Sequence, residues 1–92
     1  MPLQLSILTP QGSVFEGQVD SVLVPGSEGD FGVLPEHERF LTPIRIGELV
    51  IQSGGRSSYA AVAEGFADVS GQAVAVLAEA CFLLRAHPGG GQ

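Results

Sequence analysis

The sequence predicts an all-β fold, an antiparallel β-sandwich or barrel, and its 92 residues leave room for one domain. Three observations support this fold class. Apolar and polar residues alternate with a period of two along most of the chain, as in strands with one buried face. Turn signals recur about every 8–12 residues, and thirteen glycines are spread between them. A helical period of useful length is absent except near the C-terminus.

The extended segments follow one another with short connections. We predict strands at Leu3–Ile7, Val14–Val24, Phe31–Leu34, Phe40–Ile46, Glu48–Gln52, Arg56–Glu64, Phe66–Val69 and Ala73–Ala78. Glycine, proline and polar residues predict turns or loops at Thr9–Gly12, Pro25–Asp30, Ser53–Gly55 and Ser70–Gln72. Gly17 lies inside the second segment and predicts a bulge there, or a break into two short strands.

The C-terminal stretch allows two interpretations. Leu77–Ala86 is rich in alanine, leucine and glutamate, so it is compatible with a helical turn, or with a last strand running into a tail. Pro88 and the glycines after it end any helix. We therefore expect a sandwich domain at residues 1–80 and a short flexible C-terminal tail at residues 81–92.

Composition excludes several classes of function. Ten acidic residues against four arginines give a net charge of −6, and lysine is absent. Mechanisms that need an amine, such as a Schiff base or a phosphate-binding lysine, are therefore excluded. The negative charge argues against a nucleic-acid partner. A single cysteine, no signal peptide and no apolar run of membrane length favour a globular domain of the cytoplasm.

The sequence predicts no catalytic residue, no cofactor site and no metal site. The glycines of Gly26–Gly32 recur every third residue, but Glu28 and Asp30 between them would repel a phosphate. His37 is interpreted as a surface or interface histidine, because a zinc site needs three or four ligands. Cys81 is interpreted as a small core residue, since nothing near it in sequence lowers the pKa of its thiol.

An acid-rich segment follows the second predicted strand. Glu28, Asp30, Glu36 and Glu38 fall within eleven residues, interleaved with glycines and with apolar residues such as Phe31. Loops of this kind carry function more often than the strands that hold them. The segment is suited to docking on a basic protein surface, and equally it has the composition of a solvated hairpin end.

This segment also carries a family resemblance. Val22–Pro35, read as VLVPGSEGDFGVLP, resembles the hallmark of the epsilon subunit of F-type ATP synthases. The resemblance covers about residues 3–80. The further matching segments are Leu3–Pro10, Val14–Gly17, Leu41–Ile44, Gly47–Leu49, Glu64–Val69 and Val74–Glu79.

The resemblance implies a flattened antiparallel β-sandwich of about ten short strands, acting as a non-catalytic rotor subunit. Its partners would be the gamma subunit and the c-ring, so that ion flow is coupled to ATP synthesis. Asp30 takes the position of a family glutamate implicated in contact with the c-ring. By the same resemblance, Glu28 and His37 lie in the same region, at the foot of the central stalk. The residues implied for partner binding are Glu28, Asp30, Phe31, His37 and Glu38.

The chain also departs from the family pattern. Glu36-His37-Glu38-Arg39 stands where the family has Gly-His-Ala-Pro. The chain ends at Gln92, so the inhibitory and ATP-binding roles of the family's C-terminal helical hairpin are not expected here. The implied location is peripheral, on the cytoplasmic face of the cell membrane, through the complex alone. The alternative function is a free-standing β-sandwich adaptor that binds a basic protein.

Overall fold

A computed structural model describes residues 2–34 and 37–84, except for the side chains of His37 and Glu38. Every regular element within these ranges is a strand, so the all-β fold class is confirmed. The strands are β1 (Leu3–Thr9), β2 (Gly12–Val19), β3 (Ser21–Gly26), β4 (Gly29–Val33), β5 (His37–Ile44), β6 (Gly47–Ser53), β7 (Arg56–Val62), β8 (Gly65–Gly71), β9 (Ala73–Ala78) and β10 (Cys81–Leu84).

The ten strands form two halves that join at one corner. The first sheet has the order β4-β3-β6-β7-β10, and the second has the order β5-β8-β9-β1-β2. Between them the ladder continues through a single residue pair, Gly26 of β3 opposite Ile44 of β5. Because the hydrogen bonding narrows to one pair there, the second half can turn back over the first.

Side-chain alternation explains how the two halves close on one core. Leu3, Leu5 and Ile7 of β1 are fully buried, and the polar residues between them are not. The other buried apolar side chains come from both sheets and form one cluster with β1: Val19, Val22, Val24, Val33, Ile44, Leu49, Ile51, Ala60, Val62, Ala67, Val69, Val74, Val76 and Ala78. The domain therefore has a single core between its two sheets.

One strand pair differs from the antiparallel expectation. β1 pairs with β9 in parallel, with Leu5 opposite Val74, while its other neighbour β2 is antiparallel. A parallel pair needs a long crossover between its strands, and here most of the chain lies between β1 and β9. Local turn signals in the sequence cannot reveal a pairing of that range.

The second predicted segment does break into two strands, but the break does not lie at Gly17. β2 runs through Gly17, which pairs with Leu5, and the chain breaks instead at Asp20. Asp20 is the single residue between β2 and β3. Its amide donates to the carbonyl of Gln52, and its carboxylate accepts from the amide of Gly54, so both bonds fix the chain where it passes from one strand to the next. The bulge in this ladder lies at Val14, since Ile7 faces Phe15 and Leu8 faces Ser13.

The helical interpretation of the C-terminal stretch is wrong for its described part. Leu77 and Ala78 end β9, and Cys81–Leu84 pair with β7 as β10. The turn between these strands is fixed to the β7–β8 connection by hydrogen bonds from the Ala63 amide to the Ala80 carbonyl and from the Glu79 amide to the Glu64 carbonyl. The sheet thus continues past residue 80, the expected end of the domain, and residues 85–92 lie outside the described residues.

Candidate partner-binding surface

The acid-rich segment forms a tight hairpin between β3 and β4. At the turn both strands extend beyond their predicted ends, β3 as far as Gly26 and β4 from Gly29, so the predicted loop Pro25–Asp30 shortens to a turn at Ser27 and Glu28. Gly26 faces Gly29 across the end of the ladder. A side chain at Gly26 would lie 2.7 Å from the Gly29 carbonyl oxygen, and Gly29 has a φ of 130°, so both positions require glycine.

The turn end of this hairpin is fixed to the end of β5 and to the connection that follows β5. The Ser27 amide donates to the Pro43 carbonyl at 3.1 Å, and the Arg45 amide donates to the Pro25 carbonyl at 2.9 Å. Gly47 packs so closely on Pro25 that a Cβ there would lie 2.8 Å from the proline Cβ. The turn is therefore held at one end of the sandwich by the corner where the two sheets join.

The two acids of the hairpin have different surroundings. Asp30 accepts from the Arg45 guanidinium, with 2.5 Å between Nη2 and Oδ1, and both side chains are about half exposed. Glu28 is exposed at the turn and has no ion-pair partner within the described part of the chain. Glu28 is therefore the carboxylate whose charge is fully presented to solvent.

The ring of Phe31 is partly buried and takes part in the packing of the domain. It meets Phe40 edge to face, with centroids 5.5 Å apart, and both rings pack against the core. Such a pair contributes roughly 0.5–1.5 kcal/mol beyond the burial of its area. This contact joins β4 of the first sheet to β5 of the second and so helps to fix the hairpin.

His37 and Glu38 lie at the other end of β5. The backbone of His37 pairs with Gly71, whereas Ile44 at the far end of β5 pairs with Gly26 beside the hairpin. The seven steps along the strand from His37 to Ile44 correspond to roughly 20 Å. The structure therefore brings Glu28, Asp30 and Phe31 together and sets His37 and Glu38 apart from them.

Sequence reasoning missed three residues beside the hairpin: Arg45, Thr42 and Pro43. Thr42 and Pro43 line a shallow groove of about 490 Å³ together with Gly26–Phe31. Arg45 is fifteen residues from Asp30 and carries no motif of its own. The pairing of Gly26 with Ile44 and the backbone bonds of Ser27 to Pro43 and of Arg45 to Pro25 bring these residues together. These contacts are distant in sequence, so no local sequence signal could have identified them.

Apolar side chains also form rows on the outer faces of both sheets. On the second sheet, cross-strand pairs align Pro43, Phe66, Leu77 and Leu8. On the first sheet, the aligned residues are Leu23, Val50, Tyr59 and Leu84. Phe66 is 50% exposed and Leu77 45%, so the row on the second sheet presents apolar surface of the kind found at protein contacts.

The described residues offer little for chemistry. Groups of three or more potential metal ligands are absent among them, and none of their elements is a helix that could cross a bilayer. Cys81 is half-buried against the core, and this burial raises the pKa of its thiol. A raised pKa lowers the thiolate fraction, which fits the interpretation of Cys81 as a packing residue.

The comparisons with known proteins agree on one family. The family described as the ATP synthase Delta/Epsilon chain β-sandwich domain matches residues 2–83. The ATP synthase epsilon chain of Nitratidesulfovibrio vulgaris (strain Miyazaki F) is 47% identical over 77 residues, which are 84% of this chain and 58% of the relative. The epsilon chain of Caulobacter vibrioides is 40% identical over 77 residues, 84% of this chain and 90% of the relative.

Solved structures show the same fold. A chain in the mitochondrial ATP synthase of Euglena gracilis, solved as an OSCP/F1/c-ring assembly, superposes with a TM-score of 0.84. The match covers 89% of this chain and 53% of that chain, at 21% identity. At this identity the likeness concerns the fold, which agrees with the two-sheet architecture described above.

Proposed function

This chain belongs to the ATP synthase Delta/Epsilon chain β-sandwich family, and on that premise we propose that it is a non-catalytic subunit of the central stalk of an F-type ATP synthase. It joins the gamma subunit to the c-ring, so that ion flow through the membrane sector is coupled to ATP synthesis. The subunit is peripheral to the membrane, on the cytoplasmic face, and is held there by the complex.

The observation that carries this proposal is the acidic hairpin fixed at one end of the sandwich. Glu28 and Asp30 project carboxylates from a turn whose backbone is bonded to Pro43 and Arg45. A subunit that transmits torque needs a contact that does not yield under load, and this turn is anchored by both sheets. Its negative charge complements a basic loop, such as the polar loop of a c-ring subunit.

The outer faces supply the second contact that a linking subunit needs. The rows through Phe66 and Leu77 on the second sheet, and through Leu23 and Leu84 on the first, are apolar and exposed. Faces of this kind are suited to packing on the gamma subunit. A chain with a charged end and apolar sides can therefore contact two partners at once.

Charge reversal at the hairpin tests the c-ring contact. In the Glu28→Lys/Asp30→Lys double variant, we expect rebinding to membranes to weaken about tenfold or more, because like charges would face each other. F1 depleted of this subunit is reconstituted with the variant on stripped membrane vesicles, and ATP-driven ion pumping is measured. The melting temperature should change little, since both side chains are exposed.

Glu16→Lys provides the control for charge alone. Glu16 is an exposed acid in β2 of the second sheet, away from the hairpin, and its reversal should leave pumping unchanged. Unchanged assembly and pumping in the double variant would contradict the c-ring contact. Failure of the chain to purify with the ATP synthase of its own membranes would instead favour a free-standing adaptor.

A further inference from the structure

Arg45 forms an ion pair with Asp30, which is one of the two acids that the hairpin offers to a partner. We propose that Arg45 is a positioning residue that acts through Asp30: it lowers the negative charge of the hairpin and so sets the strength and salt dependence of docking on a basic loop. The partner's chemistry is that of a surface loop carrying arginine or lysine. This inference rests on the proposed function, because it concerns the same hairpin.

The backbone delivers Arg45 to this place. The Arg45 amide is bonded to the Pro25 carbonyl, and its neighbour Ile44 pairs with Gly26. Pro25 in turn lies opposite Asp30 in the β3–β4 ladder. The Arg45 side chain therefore starts one strand away from Asp30, and the ion pair follows from the way the two sheets join.

The pair changes the charge that a partner meets. Glu28 and Asp30 together carry a formal charge of −2, and Arg45 brings the hairpin to −2 + 1 = −1. Attraction between exposed charges depends on this value and is screened by salt. A hairpin at −1 is attracted less strongly by a basic loop than one at −2, and its binding loses less when salt is added.

The pair is also weak enough to yield to a partner. Both side chains are about half exposed, and exposed ion pairs contribute little to folding stability. The contact joins one guanidinium nitrogen to Oδ1, which leaves Oδ2 without a hydrogen bond in the described part of the chain. A cation of the partner can therefore approach Asp30 by sharing or replacing Arg45 without unfolding the hairpin.

The test compares Arg45→Gln with Arg45→Lys in the complete complex. Stripped membrane vesicles are rebound with depleted F1 and each variant over a series of salt concentrations. We expect Arg45→Gln to bind about fivefold more tightly at low salt, and to lose proportionally more of that binding at high salt. Arg45→Lys keeps the charge, so its salt dependence should match that of the unmodified chain.

Each outcome has a defined meaning. Weaker binding of Arg45→Gln at low salt, or an unchanged salt dependence, would overturn the inference. Unfolding of Arg45→Gln at the assay temperature would also overturn it, because the pair would then be a structural requirement. A Glu28→Gln/Asp30→Asn variant separates failure of the proposed function from failure of the inference on Arg45. If this variant binds as tightly as the unmodified chain, the proposed function fails. If it binds more weakly while Arg45→Gln behaves like the unmodified chain, only the inference on Arg45 fails.

Discussion

At the scale of single residues, Gly65 shows the tightest backbone approach among the described glycines. It begins β8 opposite Ala78 of β9, and a Cβ there would overlap the Leu77 carbonyl oxygen and lie 2.9 Å from the Ala78 Cα. Because the obstacle is backbone, the site can relax only by moving the strand. We expect Gly65→Ala to lower the free energy of unfolding by about 1–3 kcal/mol, measured by urea denaturation.

Gly32→Ala is the matched control for this substitution. Gly32 is an exposed glycine of β4 with negative φ, and no atom lies within 4 Å of the place where its new methyl group would sit. The same chemical change there adds no contact, so stability should stay within about 0.5 kcal/mol of the unmodified chain. Equal stability of the two variants would show that the β8–β9 approach is looser than these distances indicate.

Cys81 gives the residue-scale prediction for pH. Burial raises the pKa of its thiol, so the unfolded chain loses this proton at a lower pH than the folded chain. The contribution of Cys81 to stability is therefore complete below the ordinary thiol pKa and is lost as the pH rises through the raised value. Between pH 7 and 10, the unmodified chain should lose stability relative to Cys81→Ala in parallel denaturation series. Curves that remain parallel would contradict the raised pKa.

Residue patterns in the sequence identified the acids of the hairpin but not their surroundings. Glu28 and Asp30 were recognisable because glycines and a turn surround them within a few residues. Arg45 was not, because its contact with Asp30 depends on a pairing between two sheets. The separation of His37 from the hairpin also depends on the direction of β5, which sequence spacing does not encode.

At the scale of elements, strands with strict alternation were predictable and irregular ones were not. β1, β6 and β9 alternate buried and exposed residues and lie close to their predicted positions. β10 consists of Cys81-Phe82-Leu83-Leu84, a run without alternation at the edge of the first sheet. Its strand conformation comes from pairing with β7, so tertiary context decided what local propensity left open.

Removal of β10 tests its contribution as an element. A chain that ends at Ala80 loses the pairing with β7 and the packing of Cys81 against the core, and it exposes β7 as a new edge. We expect a clear fall in melting temperature and a greater tendency to aggregate, measured by calorimetry and light scattering. A chain that ends at Leu84 keeps β10 and serves as the control. Equal melting temperatures for the two chains would instead place the domain boundary at residue 80.

At the scale of the whole molecule, the single core makes the two sheets one cooperative unit. Leu5 lies in β1 of the second sheet, is fully buried, and shares its cluster with Leu49 and Ala60 of the first sheet. We expect Leu5→Ala to cost about 2–5 kcal/mol, and Leu41→Ala, at a leucine that is 65% exposed, to cost less than about 0.5 kcal/mol. In Leu5→Ala, amide exchange should accelerate by similar factors in β1 and in β6 and β7, because opening one sheet exposes the core face of the other. Faster exchange confined to β1, β2 and β9 would mean that the sheets unfold separately and that the corner at Gly26 and Ile44 does not couple them.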